Sequence, residues 1–166
     1  VNKGNFWWLA AVIAAHAHRR VVGRTRLQKT VKLLQRLGLP TDYLFTLFFY
    51  GPYSEGLFRD IALLTALGLV SEEEYGSDGG TPYFVMQATA QAERAEMQRW
   101  ASQIALMEST ELVVLELAAT YDAFREMGAD HAEGLTRLRH KKASKWSADR
   151  EERALELLRQ LGLPGE

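Results

Sequence analysis

The chain has no cysteine among its 166 residues. Disulfides and thiolate-bound metals are therefore excluded, and a cytoplasmic protein is the simplest expectation. Histidine is scarce: His16, His18, His131 and His140 stand in no HExxH spacing. On a helix, His16 and His18 would point roughly 200° apart and could not share one ion. Both are expected on the solvent side or at a cap. No P-loop, G-x-G-x-x-G or G-x-S-x-G elbow is present. The GSDGG stretch at 76–80 joins two extended segments and opens no helix, so it is not a phosphate cradle. Glu72 and Glu74 fall on a strand and are read as a solvated edge. These absences point away from an enzyme, and no catalytic residue, cofactor or metal is expected. The apolar runs are too short to span a bilayer. No cleavage pattern follows a continuous apolar core near the amino end. No membrane partner is expected.

What is present suits a folded core. The apolar fraction is 47%, normal for a globular chain of one domain, or of one domain with an appendage. The net charge of −1 hides an uneven distribution. Residues 1–41 carry eight Lys/Arg and no acid, residues 42–133 four against sixteen, and residues 134–166 eight against five. Such segregation points either to an electrostatic partner or to blocks that neutralise one another on folding.

The chain reads in order as follows. Residues 5–18 form a helix with Phe6, Leu9, Ala10, Ile13 and Ala17 in one stripe. Trp7, Trp8 and Val12 lie outside that stripe, so either the C-terminal part or a second subunit must cover them. Residues 19–23 turn. Residues 25–37 form a helix with Leu27, Val31, Leu34 and Leu37 on one face and Arg26, Lys29, Lys32 and Arg36 on the next. Gly38 and Pro40 end it. The run YLFTLFFY at 43–50 reads as a strand buried on both faces. Gly51-Pro52 turns the chain, and Ser54 caps a helix over 55–67 with Leu57, Ile61, Leu64 and Leu67 inward. Leu69 and Val70 begin one strand of a hairpin, and TPYFVMQ at 81–87 returns as the other, with Pro82 at an edge.

Four further helices are predicted. Thr89 caps one to about Met107; Ser109 or Thr110 caps another to Met127, with Tyr121 and Phe124 on a broad apolar surface. A short helix after Asp130 reaches about His140. A basic linker covers 141–146, and Ser147 caps a last helix closed by Gly162 and Pro164. The echo of LLQRLGLP at 33–40 in LLRQLGLP at 157–164 is helix-ending chemistry rather than a repeat. The expected fold is mainly α (α+β). It comprises a winged helix-turn-helix in 1–88, with a two- to three-stranded wing sheet, and a C-terminal helical subdomain in 89–166. The uncovered tryptophans and the broad face over 110–127 predict a homodimer.

Two functions are compatible with this fold. A regulator associated with double-stranded DNA would grip phosphates through Arg24, Arg26, Lys29, Lys32 and Arg36, and through Arg137, Arg139, Lys141, Lys142 and Lys145 beside Trp146. Arg59 would be the one donor on the helix expected in the groove. That helix otherwise shows Glu55, Ala62 and Ala66, which read bases poorly. The wing carries Glu72, Glu73, Glu74 and Asp78 against a polyanion. The alternative is a protein-interaction module, antitoxin-like or an adaptor, binding a partner protein encoded nearby and no DNA. Trp7, Trp8, Tyr50, Tyr53, Tyr121 and Phe124 are the candidate residues of a partner or dimer interface. The first reading requires the two basic clusters to merge into one exposed patch.

TRLQKTVKLLQRLG followed by FFYGPYSEGLFRDIALLTALGLV resembles the YwgA-like family of small prokaryotic proteins of unassigned activity. Residues 24–70 carry most of the likeness and 112–163 a looser part. A more distant resemblance is to the Panacea antitoxin domain, which also sets a Gly-Pro turn before a helix. The resemblance implies a winged helix, no catalytic residues, and a Tyr50-Gly51-Pro52-Tyr53-Ser54 unit. That unit is either a packed turn with an N-cap or a small contact surface for a partner.

Overall fold

The computed structural model describes residues 4–76, 79–92 and 95–166. Its order is α1 (Asn5–Ala15), β1 (Arg20–Val22), α2 (Arg24–Arg36), β2 (Thr46–Phe48), β3 (Gly51–Tyr53) and α3 (Glu55–Ala66). There follow β4 (Val70–Tyr75), β5 (Tyr83–Ala88), α4 (Ala101–Glu108), α5 (Leu112–Glu126), α6 (His131–Lys141) and α7 (Ala148–Leu161). Strands β1, β5 and β4 form one antiparallel sheet in that order, with Val21 and Glu72 on either side of Met86. Helices α1, α2 and α3 with this sheet make the winged helix. The hairpin β2–β3, between α2 and α3 in the chain, is a separate two-stranded sheet whose β3 packs on α2 and α5.

Local chemistry places three helix starts. Ser54 Oγ accepts from the Leu57 amide at 3.2 Å, Asp130 from Glu133 at 2.9 Å and Ser147 from Arg150 at 3.1 Å. Each satisfies a donor that an open helix end leaves unpaired. Ser109 and Thr110 do not cap α5. Their hydroxyls donate back to the Leu106 carbonyl at 2.9 and 2.8 Å and close α4 instead. Thr89 likewise ties to the Gly68 carbonyl at 2.8 Å. The helix expected from Thr89 is a 3-10 segment at Ala95–Trp100 leading into α4, and residues 93–94 lie outside the described residues.

Helix α5 is the hub. Every residue from Val114 to Phe124 is buried, and α2, β3, α6 and α7 all pack on it. A helix apolar on all sides is buried on all sides. One core therefore runs through residues 1–88 and 89–166 alike. This removes the part of the dimer argument that rested on 110–127: Tyr121 and Phe124 are 0% and 8% exposed, and the chain itself covers them. Trp8 is half-buried, edge-on to Trp100 at 6.2 Å, while Trp7 keeps an exposed face.

Three other expectations are corrected. Residues 20–22 are a strand, too short to show a period, and they pair with β5. His16 stands at the C-cap of α1, one of its two expected places, but is buried there rather than solvent-side. Its Nδ1 lies 2.7 Å from the Val12 carbonyl, and burial holds its pKa below the usual value. Leu67 points outward at the end of α3. Among the described residues no helix is long and apolar enough to cross a membrane, and no group of His, Asp and Glu could hold a metal ion.

Candidate functional site

The basic face of α2 turns inward. Arg24 makes a two-pronged bond to Glu72 on the wing, at 2.9 and 2.5 Å, and stacks on Phe84 at 3.5 Å. Arg26 donates to the Met107 and Thr110 carbonyls, both at 2.9 Å, satisfying the end of α4. Lys32 and Arg36 reach the fully buried Asp122 and the rim residue Glu126 on α5. Lys29 is 1% exposed and donates to the Pro52 carbonyl at 2.7 Å.

The second basic cluster is also engaged. Arg137 pairs with Glu133, and Arg139 is held by both oxygens of Glu151 at 2.8 and 2.9 Å while facing Trp146. Lys142 is buried and donates to the Phe49 carbonyl at 2.9 Å. Lys145 pairs with Glu116 at 2.9 Å. Lys141 is half-buried at the end of α6, and Arg59 pairs along its own helix with Glu55. The expected single exposed patch is therefore not formed. The three charge blocks neutralise one another through contacts between distant segments. Asp78, counted among the wing acids, lies outside the described residues.

What these cations do is hold the hairpin. Lys29 grips β3 through Pro52, Lys142 grips the turn through Phe49, and the Lys145 ammonium sits 4.6 Å above the Tyr50 ring. Gln28 closes the far end, donating to the Ser54 carbonyl at 2.9 Å and accepting from its amide at 2.8 Å. Gly51 has φ 91°, and a Cβ there would meet the Thr120 hydroxyl at 2.6 Å. Only glycine lets β3 lie this close to α5. Burial pushes the Lys29 ammonium down to about 8, opposed by the charge of Glu116. Burial also lowers Lys142.

The hairpin so held presents apolar side chains to solvent. Leu44 and Phe49 are 86% and 91% exposed, and Phe48 and Tyr50 are at least half exposed. The 43–50 run is thus not a strand buried on both faces: Tyr43 is buried and Phe45 packs on the core, while Leu44, Phe48, Phe49 and Tyr50 face out. Between the hairpin and α2 lies a cavity of about 260 Å³. Phe48, Tyr50, Tyr53 and Phe58 supply its aromatic lining, and Arg24, Thr25, Gln28 and Lys29 its α2 side. Next to it, α3 exposes Phe58, Leu63 and Leu67 around the self-paired Glu55 and Arg59.

Of the predicted interface residues, Tyr50 and Tyr53 meet at this cavity, while Trp7 lies exposed on α1. Sequence reasoning missed Leu44, Phe48, Phe49 and Phe58. The available signal was an apolar run bounded by Pro40 and Pro52 and too short, once folded on itself, to be covered. No protein-family model and no curated protein matches this chain.

Proposed function

We propose that the chain is a protein-interaction module on a winged-helix scaffold, docking a partner polypeptide through the β2–β3 hairpin and the outer face of α3. The observation that carries this reading is the exposure of Leu44, Phe48, Phe49 and Tyr50 on a hairpin fixed by buried lysines. Contiguous apolar surface in water is costly and is a mark of interaction sites. A surface already held in shape also loses little entropy on binding. The partner proposed is a different polypeptide: two copies meeting hairpin to hairpin would bring like lysines, Lys142 and Lys145, towards each other.

The DNA-associated regulator is the weaker reading. Phosphate binding needs free cations that release counterions, and those of α2 are engaged inside the fold. A helix face of Glu55, Arg59, Ala62 and Ala66 gives a groove little to read. It gives a polypeptide an apolar surface to pack on.

Full-length wild type and Phe49→Asp, each tagged in the native host, test the proposal. One polypeptide is expected near equal stoichiometry with wild type and lost with the variant. Anisotropy on random duplexes is the counter-measurement. Tight binding at low salt, falling steeply with salt and indifferent to Phe49→Asp, would overturn the proposal in favour of DNA.

A further inference from the structure

We propose that the cavity between the hairpin and α2 receives one aromatic side chain of an acidic segment in the partner. This inference rests on the reading of the chain as a protein-binding module.

Size is the first argument. About 260 Å³ admits a single large side chain, and it falls below the roughly 300–1,000 Å³ of most small-molecule pockets. Shape chemistry is the second. The four aromatic rings offer faces and edges to another ring, an arrangement that adds to plain burial. Phe48 and Tyr53 already meet edge-on at 5.5 Å, so the lining itself uses this geometry.

Charge fixes what flanks the anchor. Among the described residues no carboxylate lines the cavity, whereas Arg24 and Lys29 do. Glu72 neutralises Arg24. Behind the hairpin, Lys29, Lys142 and Lys145 share the single carboxylate of Glu116. Three positive charges against one negative leave a local excess beneath Tyr50, where Lys145 is a third exposed. The first turn of α2 adds no acid and no capping side chain, so its dipole has the same sign. Acidic residues on either side of the anchor would find this excess; basic ones would be repelled.

The test uses the full chain and labelled short peptides read by anisotropy. One peptide carries a central Trp among Asp and Glu, a second the same Trp among Lys, and a third Ala in place of Trp among the acids. A single-stranded oligonucleotide is run alongside. The acidic Trp peptide is expected to bind at least about tenfold tighter than either control peptide, a difference readily resolved. Thr25→Phe, which fills the cavity from a half-buried position, should weaken it by a similar factor. So should Phe58→Ala, which removes a wall residue that is already 42% exposed. Thermal melts confirm that both variants are folded. Equal affinity for the three peptides, no binding at millimolar concentration, preference for the oligonucleotide, or binding that survives both folded variants would each overturn the inference. Phe49 does not line the cavity. A native partner lost with Phe49→Asp but kept by Thr25→Phe would sink the cavity proposal and leave the docking hairpin standing.

Discussion

Lys29 is a charge held where charge is expensive. It donates to the Pro52 carbonyl, 1% exposed, with Lys142 and Lys145 nearby and only Glu116 opposing them. Its pKa falls from an ordinary 10.5 to about 8, first because burial disfavours the ammonium. The unfolded chain therefore holds this proton over a range where the folded one has released it. Below pH 8 both states are protonated and the cost of burial is constant. As pH rises from about 8 to about 10.5, the folded state gains, and stability climbs with pH. Lys142, lowered by burial too, pushes in the same sense. Denaturant unfolding between pH 7 and 10.5 is expected to show wild type gaining on Lys29→Met by about 2–3 kcal/mol, the order set by the shift. A difference independent of pH would mean that the ammonium is not the group being desolvated. The sequence placed Lys29 on the correct face of α2. It could not say that β3 and α5 would close over that face.

At the scale of elements, the hairpin β2–β3 depends on one backbone position. Gly51 follows the Phe49–Tyr50 turn with φ 91°, and the Thr120 hydroxyl of α5 stands where a side chain would begin. Gly51→Ala is expected to cost about 2–4 kcal/mol, combining left-handed strain with overpacking. It should also weaken partner binding, because the hairpin loses its seat. Thermal melting with a binding assay checks both; a variant of unchanged midpoint would show that β3 can move off α5 freely. Helix starts at Ser54, Asp130 and Ser147 were legible because capping is settled within three residues of sequence. The wing was legible from its turn formers. Strand β1 was not, since three residues carry no period. Nor was the exposure within the 43–50 run, because burial depends on what lies over a segment, and nothing in the run specifies that. The α2 cations were placed on a face by the helical repeat. The acceptors of two of them lie on α5, some ninety residues away, as Lys32 and Asp122 do, beyond the reach of any local pattern.

For the molecule as a whole, the apparent boundary near residue 88 is crossed by a buried ionic cluster. Asp122 is 0% exposed and meets Arg36 at 3.0 Å and Lys32 at 3.5 Å, the carboxylate from one segment and both cations from the other. Removing the carboxylate leaves both cations to the half-exposed Glu126 alone, 3.0 Å from Lys32 and 3.7 Å from Arg36. Asp122→Ala should therefore lose about 2–4 kcal/mol, somewhat less than the full penalty for orphaning a buried charge, because Glu126 remains. Replacing the whole set with apolar residues of similar volume, Lys32→Met with Arg36→Met and Asp122→Leu, should recover most of that loss, since desolvation is then avoided on both sides. Guanidinium unfolding followed by far-ultraviolet circular dichroism and by tryptophan fluorescence reads both effects. The tryptophans sample both segments, with Trp7 and Trp8 in the first and Trp100 and Trp146 in the second. Because one core spans the segments, the two probes should shift together in a single transition. If Asp122→Ala instead split the transition, with one segment melting ahead of the other, the cluster would be a local contact between independent units. The hairpin would then be anchored to a body able to move without it.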